Sequence, residues 1–281
     1  MATFYNQATL SFNGRLTNSN VASGELRDTL ALTKTALSSG YNSDGNVVYV
    51  VNINNSGNST VVSLADNLGA YIVGGNTVYP LTYVSGSVRI FVNGVEGASP
   101  TVVAGPPLTM TDITIPANSS VQIYYEATVN GFAPLAEGSS VDNTVTLSDN
   151  SGTIATASST VSVLVGADLT IAKAICPSVV VDNGELTYTF VIQNSGNAEI
   201  IATDDVVVTD VFDPMLTNIT VTFNGAIWTE GVNYTYNETT GEFATLNGQI
   251  TVPAATYTQD PITGIITTTT GVAVITVVGT V

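Results

Sequence analysis

Apolar and polar residues alternate along many short segments of this chain, for example in QATLSF (7–12), VQIYYEATV (121–129) and ELTYTF (185–190). A period of two residues is typical of a β-strand with one buried face. Gly, Asn, Asp and Pro separate these segments, and those residues favour turns. The pattern therefore predicts an all-β protein built from short strands.

The same series of segments occurs twice. ALTKTA and VVYVVNINNSGN in the first copy correspond to DLTIAKA and ELTYTFVIQNSGN in the second, and later FVNG, ITIPA and VQIYYEATV correspond to TFNG, ITVPA and AVITVVGTV. A repeat of short alternating strands with turn signals favours tandem immunoglobulin-like β-sandwich domains. We place the first domain at residues 28–166 and the second at 167–281, preceded by a segment at residues 1–27.

The two copies end differently. The first continues past Val129 through DNTVTLSDNSG, whereas the second ends at Val281, which aligns with Val129. The start of the chain, NQATLSFNGR, resembles NTVTLSDNSG at residues 143–152. Residues 1–27 are thus expected to form a closing strand or hairpin that the second domain lacks. The predicted donor-strand residues are Asn6, Ala8, Leu10 and Phe12.

A β-sandwich that lacks a strand exposes unpaired backbone groups and an apolar groove, and a strand from another chain can restore both. Because donor and acceptor surfaces differ, the contact is heterologous and extends into a filament. Two alternatives remain at this stage. Residues 1–27 could fold back into their own second domain, giving a closed monomer, or they could form a disordered arm.

Lys34, Asp66 and Asn143 form a candidate crosslinking set in the first domain. Lys34 lies in a strand whose alternation places it towards the core, where a buried amine loses its proton and becomes a nucleophile. A nearby carboxylic acid such as Asp66 can polarise the Asn143 carboxamide. Such a set can form a Lys–Asn isopeptide bond with release of ammonia, although an ordinary Lys–Asp ion pair is the alternative.

Lys173, Asp210 and Asn6 occupy the equivalent positions of the second copy, with Asn6 supplied by the next subunit. The same bond would then join two chains. Glu126 is a rival acid in the first domain, but its counterpart is Val278. Glu126 therefore cannot serve both copies.

These motifs in combination, L-T-x-x-K, a Tyr-bearing strand ending in N-S-G-N, and T-D, resemble the bacterial surface repeat named domain of unknown function eleven. The resemblance covers most of residues 28–281, twice. A two-repeat chain of this size also looks like the clostridial spore-appendage subunits that carry this repeat. The resemblance implies a structural protein of the cell or spore surface, and it implies no enzymatic activity.

Charge and composition exclude several function classes. With 22 acidic and 5 basic residues, the net charge of −17 disfavours binding to nucleic acid or to anionic membranes. The chain has no histidine, which removes most metal sites and general bases. We expect no enzyme, no cofactor and no metal site, and the turns at 41–46 and 181–186 leave calcium binding undecided. Cys176, the single cysteine, is expected to be a small buried residue, with an intermolecular disulfide as the alternative.

No basic segment followed by an apolar one begins the chain, and no apolar stretch reaches the length of a membrane span. We expect synthesis in the cytoplasm without a signal peptide, and a final location on the spore surface or in an extracellular appendage. The expected function is a filament subunit that binds copies of itself head to tail, with an anchor or tip protein still unidentified. The alternative is a surface adhesin, a self-closed monomer with an aromatic binding platform.

Overall fold

The computed structural model describes residues 2–26 and 29–281, so Met1, Arg27 and Asp28, and with them the junction between the N-terminal segment and the first domain, lie outside the described residues. The fold is all-β, as predicted, and the described residues include one short 3₁₀ helix at Ala202–Asp204. Among the described residues, no helix has the length and apolar character needed to cross a membrane.

Residues 2–26, here called the N-terminal arm, form one long hairpin. Its four strands are β1 (Ala2–Asn6), β2 (Thr9–Phe12), β3 (Arg15–Asn18) and β4 (Ala22–Leu26). β1 pairs with β4 and β2 with β3. Asn13 and Gly14 form the turn with φ angles of 50° and 74°, because an Asn-Gly pair tolerates the left-handed conformation that a tight hairpin requires.

The first domain contains thirteen strands within residues 29–166. They are β5 (Leu30–Ala36), β6 (Asn46–Asn55), β7 (Thr60–Asp66), β8 (Tyr71–Val73), β9 (Asn76–Val78), β10 (Leu81–Tyr83), β11 (Arg89–Val92), β12 (Val95–Glu96), β13 (Thr101–Val103), β14 (Leu108–Ile115), β15 (Ser119–Val129), β16 (Ser140–Asp149) and β17 (Gly152–Ser162). One sheet has the order β12-β11-β15-β6-β5, with β10 also paired to β15, and the other has the order β13-β14-β7-β16-β17. Alternate side chains of both sheets meet in one apolar core, which makes this an immunoglobulin-like sandwich.

The second domain contains ten strands. They are β18 (Leu169–Cys176), β19 (Glu185–Asn194), β20 (Thr209–Val211), β21 (Thr217–Phe223), β22 (Ala226–Trp228), β23 (Tyr234–Tyr236), β24 (Glu242–Thr245), β25 (Thr256–Gln259), β26 (Ile266–Thr269) and β27 (Gly271–Thr280). The order β18-β19-β27-β21-β22 reproduces the first sheet of the first domain. The prediction of two tandem immunoglobulin-like domains is confirmed.

The second sheet of the second domain has fewer strands than its counterpart in the first domain. In the first domain, β7 lies between β14 and β16. Its equivalent β20 pairs with β24 on one edge, and no strand among the described residues pairs with its other edge. The strands that would correspond to β16 and β17 are therefore missing from the described part of this domain.

Hydrogen bonds join the two domains at the β25–β26 hairpin. The backbone N–H of Ile266 donates to the carbonyl of Gly131 at 2.8 Å. The Gln259 side chain donates to the Tyr71 hydroxyl at 2.6 Å. These contacts hold the hairpin of the second domain against the first domain.

Candidate crosslinking site and strand-acceptor groove

Lys34, Asp66 and Asn143 come from three strands but meet in the core of the first domain. Lys34 projects from β5 in one sheet, while Asp66 ends β7 and Asn143 lies on the adjacent strand β16 in the other sheet. All three are buried, with Asp66 and Asn143 fully so. The alternation of each strand places these polar residues inward, since their neighbours along each strand face outward.

One carboxylate oxygen organises the cluster. The Lys34 ammonium lies 2.6 Å from Asp66 Oδ2, and the Tyr125 hydroxyl donates to the same oxygen at 2.5 Å. Asn143 Nδ2 donates to the Tyr125 hydroxyl at 3.2 Å, and the Gly69 N–H donates to Asn143 Oδ1 at 3.2 Å. The three residues chosen from the sequence thus share one hydrogen-bonded network, together with Tyr125, which the sequence analysis missed.

Burial changes the proton affinities in this cluster. It lowers the pKa of Lys34 to about 8, although the Asp66 charge and hydrogen bond oppose this shift. Burial, followed by the nearby Asp66 charge, raises the pKa of Tyr125 well above its ordinary value. The Lys34 amine is thus close to losing its proton near neutral pH, while Tyr125 remains a protonated hydroxyl.

The arrangement supplies the groups that amide transfer needs. In such a reaction Lys34 would supply the amine and Asp66 would accept its proton, while the Gly69 N–H, which donates to Asn143 Oδ1, would polarise that carbonyl. Glu126 takes no part, because it lies on the opposite face of β15 from Tyr125.

The second domain repeats the ion pair in an open setting. Lys173 pairs with Asp210, and their side chains are 38% and 20% exposed, against 0% for both members of the buried pair. Aromatic rings line the site in both domains. The Lys173 Nζ lies 4.4 Å from the ring centroid of Tyr188, and the Lys34 Nζ lies 4.6 Å from that of Tyr49. The site in the second domain thus has a lysine, a carboxylate and an aromatic ring at the equivalent positions. It is more exposed because no strands equivalent to β16 and β17 cover it in the described structure.

The exposed face of β18 and the free edge of β20 together define what we call the acceptor groove. Ile171 and Ile175, on either side of Lys173 on the same face of β18, are 56% and 46% exposed. In the first domain the corresponding residues, Leu32 and Ala36, pack against the core. Apolar side chains exposed beside an unpaired strand edge favour the addition of a strand.

Cys176, at the end of β18, is exposed. The expectation that it is a buried core residue is wrong, because alternation along β18 places Cys176 on the face opposite Lys173, and its counterpart in the first domain, Leu37, is 57% exposed as well. Its alternative, an intermolecular disulfide, stays a prediction.

The N-terminal arm matches the β16–β17 hairpin in length, in the position of its turn and in most of its cross-strand pairs. The pair Asn6–Ala22 in the arm corresponds to Asn143–Ser159 in the first domain, and both numbers differ by 137 (143 − 6 and 159 − 22). The turn at residues 13–14 of the arm corresponds to the turn at residues 150–151, again 137 positions later. The second strand of each hairpin contains one extra residue, a β-bulge. The arm therefore has the length of the strands that are missing from the described part of the second domain, and nearly the same register.

Several arm residues that correspond to buried residues of β16 are exposed to solvent. Leu10 is 68% exposed, whereas its counterpart Leu147 is fully buried. Asn6 and Ala8 are likewise exposed, while their counterparts Asn143 and Val145 are fully buried. Within the described chain, Asn6 therefore lies in the exposed hairpin and not in the Lys173–Asp210 cluster.

Phe12, the fourth predicted donor residue, lies next to the turn of the arm. It is 70% exposed, and its counterpart Asp149 is only half-buried. Phe4 was not predicted, but its counterpart Val141 is buried in the core. The Phe4 ring covers Gly24, which stands where the first domain has Val161, so a large and a small residue replace two valines.

The two ion pairs should differ sharply in their effect on stability. In an Asn143→Ala background, which cannot form the internal crosslink, we expect Asp66→Ala to lower the free energy of unfolding by about 3–5 kcal/mol, because Lys34 is left buried without a partner. Asp210→Ala should cost about 1 kcal/mol or less, since that pair is partly exposed. Urea unfolding of the two variants measures the difference, and equal losses would contradict the described burial.

Comparison with known proteins gives fold-level similarities. No family model matches the chain. No curated protein matches it either. Among solved structures, it is similar to the C-terminal domain of the antigen I/II polypeptide BspA from Streptococcus agalactiae (12% identity, 89% of this chain and 91% of that chain, TM-score 0.39).

Two pilins are also similar in structure. The major pilin RrgB from Streptococcus pneumoniae shares 14% identity, covering 89% of this chain and 42% of that chain, with a TM-score of 0.35. BcpA, the major pilin subunit of Bacillus cereus, shares 13% identity over 96% of this chain and 73% of that chain, also with a TM-score of 0.35. At these identities and TM-scores, function has to be inferred from the chain's own geometry.

Proposed function

We propose that this chain is the subunit of a filament in which the N-terminal arm of one copy completes the second domain of the next. The observation that carries the proposal is the match between the arm and the β16–β17 hairpin. Most cross-strand pairs agree under one numerical difference, and only Thr9–Asn18 and Leu10–Thr17 are displaced by one residue. The described part of the domain that lacks this hairpin has a free edge beside β20. The junction between subunits would then copy the closure that the first domain already has.

The apolar residues of the two surfaces agree with this pairing. The arm presents Phe4 and Leu10, and the acceptor groove presents Ile171 and Ile175, all between 46% and 68% exposed. Burying such side chains contributes about 1.5–3 kcal/mol each. A two-stranded insertion also satisfies the backbone groups on the free edge of β20, so the contact has both an apolar and a hydrogen-bonding component.

The filament would be locked by isopeptide bonds. Placing the arm as β16–β17 is placed in the first domain brings Asn6 of one copy to Lys173 of the next. Lys173 Nζ then forms a bond with Asn6 Cγ, the Cγ–Nδ2 bond breaks, and one ammonia leaves. Within each first domain, Lys34 and Asn143 react in the same way beside Asp66.

A surface adhesin that acts as a closed monomer is the competing function, and it needs an exposed aromatic platform. Tyr41, Tyr49 and Tyr83 are instead buried in the first core, and Trp228 stacks on Phe223. These four aromatic side chains therefore stabilise the sandwiches. The chain has 5 basic residues, so trypsin-like proteases find few cleavage sites in it. A covalent filament with this property suits an appendage on the cell or spore surface.

Light scattering of the native protein tests this function. We expect the full chain to form species of many multiples of 29.0 kDa, whereas a chain without residues 1–27 should remain a monomer. Adding that shortened chain to full-length chains during refolding should shorten the polymers, because it accepts an arm but donates none. A full chain that stays at 29.0 kDa at all concentrations would contradict the proposal and favour the closed monomer.

A further inference from the structure

The hydroxyl of Tyr125 stands between the carboxyl group and the amide of the first-domain cluster. It donates to Asp66 Oδ2 at 2.5 Å and accepts from Asn143 Nδ2 at 3.2 Å. Tyr125 is 1% exposed, and Asp66 and Asn143 are 0% exposed. Solvent therefore has no ready access through which water could replace the hydroxyl.

Crosslinking requires proton transfer at two separated nitrogens. Lys34 Nζ must lose two protons, and Asn143 Nδ2 must gain one to leave as ammonia. Asp66 Oδ2 contacts the Lys34 nitrogen directly, at 2.6 Å. The hydrogen bond made by Asn143 Nδ2 goes to Tyr125 instead. The carboxyl group that receives a proton from lysine is thus linked to the leaving nitrogen through the tyrosine hydroxyl.

We propose that Tyr125 is a catalytic proton relay for the Lys34–Asn143 crosslink, an inference that rests on the proposed isopeptide bond. Lys34 passes one proton to Asp66, and its neutral amine attacks Asn143 Cγ while the Gly69 N–H stabilises the developing charge on Oδ1.

As the Cγ–Nδ2 bond breaks, the Tyr125 hydroxyl gives its proton to Nδ2 and takes the proton held by Asp66. The second proton on Nζ then moves to the Asp66 carboxylate. The products are one secondary amide, one ammonia and a protonated Asp66, which ammonia can deprotonate. Tyr125 ends as the hydroxyl with which it began.

The second domain has no such hydroxyl. Tyr125 lies opposite Tyr49 across β15 and β6, and the residue opposite Tyr188 in the equivalent strands is Val277. Val277 is fully buried and cannot carry a proton. The bond between subunits at Lys173 should therefore form more slowly than the internal bond, so that each first domain is locked before the filament is.

Time-resolved mass spectrometry of the full chain made by cell-free translation tests the relay. Tyr125→Phe keeps the ring and removes the hydroxyl. We expect the rate of Lys34–Asn143 crosslink formation, measured as the loss of one ammonia from the chain, to fall by about 100-fold. Tyr41→Phe is the matched control, since its buried hydroxyl donates to the Pro134 carbonyl at 2.5 Å, outside the cluster, and its rate should equal that of the wild type.

Fluorotyrosines at position 125 separate proton transfer from packing, because they keep the ring and the hydroxyl but change its acidity. The rate should change systematically with that acidity if Tyr125 moves a proton. Equal rates for wild type, Tyr125→Phe and the fluorotyrosine chains would overturn the relay while leaving the crosslink established. A wild-type chain that never loses ammonia would instead refute the crosslink, and the relay with it.

Discussion

Replacing Leu10 by Asp should convert the polymers into 29.0 kDa monomers. In the proposed assembly Leu10 occupies the place of Leu147, which is fully buried in the first domain. A carboxylate there loses the apolar contact and has no partner for its charge, which costs about 4 kcal/mol or more. The affinity of the arm for the acceptor groove should therefore fall by roughly 1,000-fold.

The matched control lies on the same strand and introduces the same charge. Tyr5 is 71% exposed, and its counterpart in the first domain is already an aspartate, the exposed Asp142. Tyr5→Asp should consequently leave the molar mass of the polymer unchanged in light scattering. Equal effects of the two substitutions would show that charge alone, rather than insertion in this register, controls association.

Lys173→Arg should remove the covalent links between subunits but keep the filament. The guanidinium retains the positive charge opposite Asp210, but it does not lose a proton and cannot act as the nucleophile. We expect wild-type protein to show a ladder after boiling in detergent and this variant to give a single 29.0 kDa band. Native light scattering should still detect polymers of both.

Lys34→Arg is the control for that experiment. It removes the internal crosslink only, so the ladder should persist. The free energy of unfolding of the first domain should fall by about 4–5 kcal/mol, because this is the chain-entropy contribution of a crosslink that closes a loop of about 100 residues. If Lys34→Arg abolished the ladder and Lys173→Arg did not, the assignment of the two lysines to internal and intersubunit bonds would be wrong.

The repeat in the sequence predicts much of this structure. Equivalent positions in two copies of a sandwich share a strand and a face, so Lys34, Asp66 and Asn143 could be grouped without coordinates. The same logic aligns Asn6 with Asn143. Local alternation and turn residues also predict the strands, because both depend only on neighbouring residues.

Other features depend on contacts that one strand's pattern does not contain. Tyr125 faces inward by alternation, but only the register of β15 against β6 and the position of β7 bring its hydroxyl to Asp66. Ile171 has the alternation of a core residue, yet it is 56% exposed because the neighbouring strands are missing from the described domain. Exposure of this kind is a property of the whole sheet.

Electron cryomicroscopy of the assembled full-length chain tests the central claim most directly. We predict that residues 2–26 of one copy lie along the free edge of β20 in the next copy, with Asn6 beside Lys173 and Leu10 in the core. An arm that lies in the second domain of its own chain, or a filament in which the edge of β20 is empty, would contradict the account.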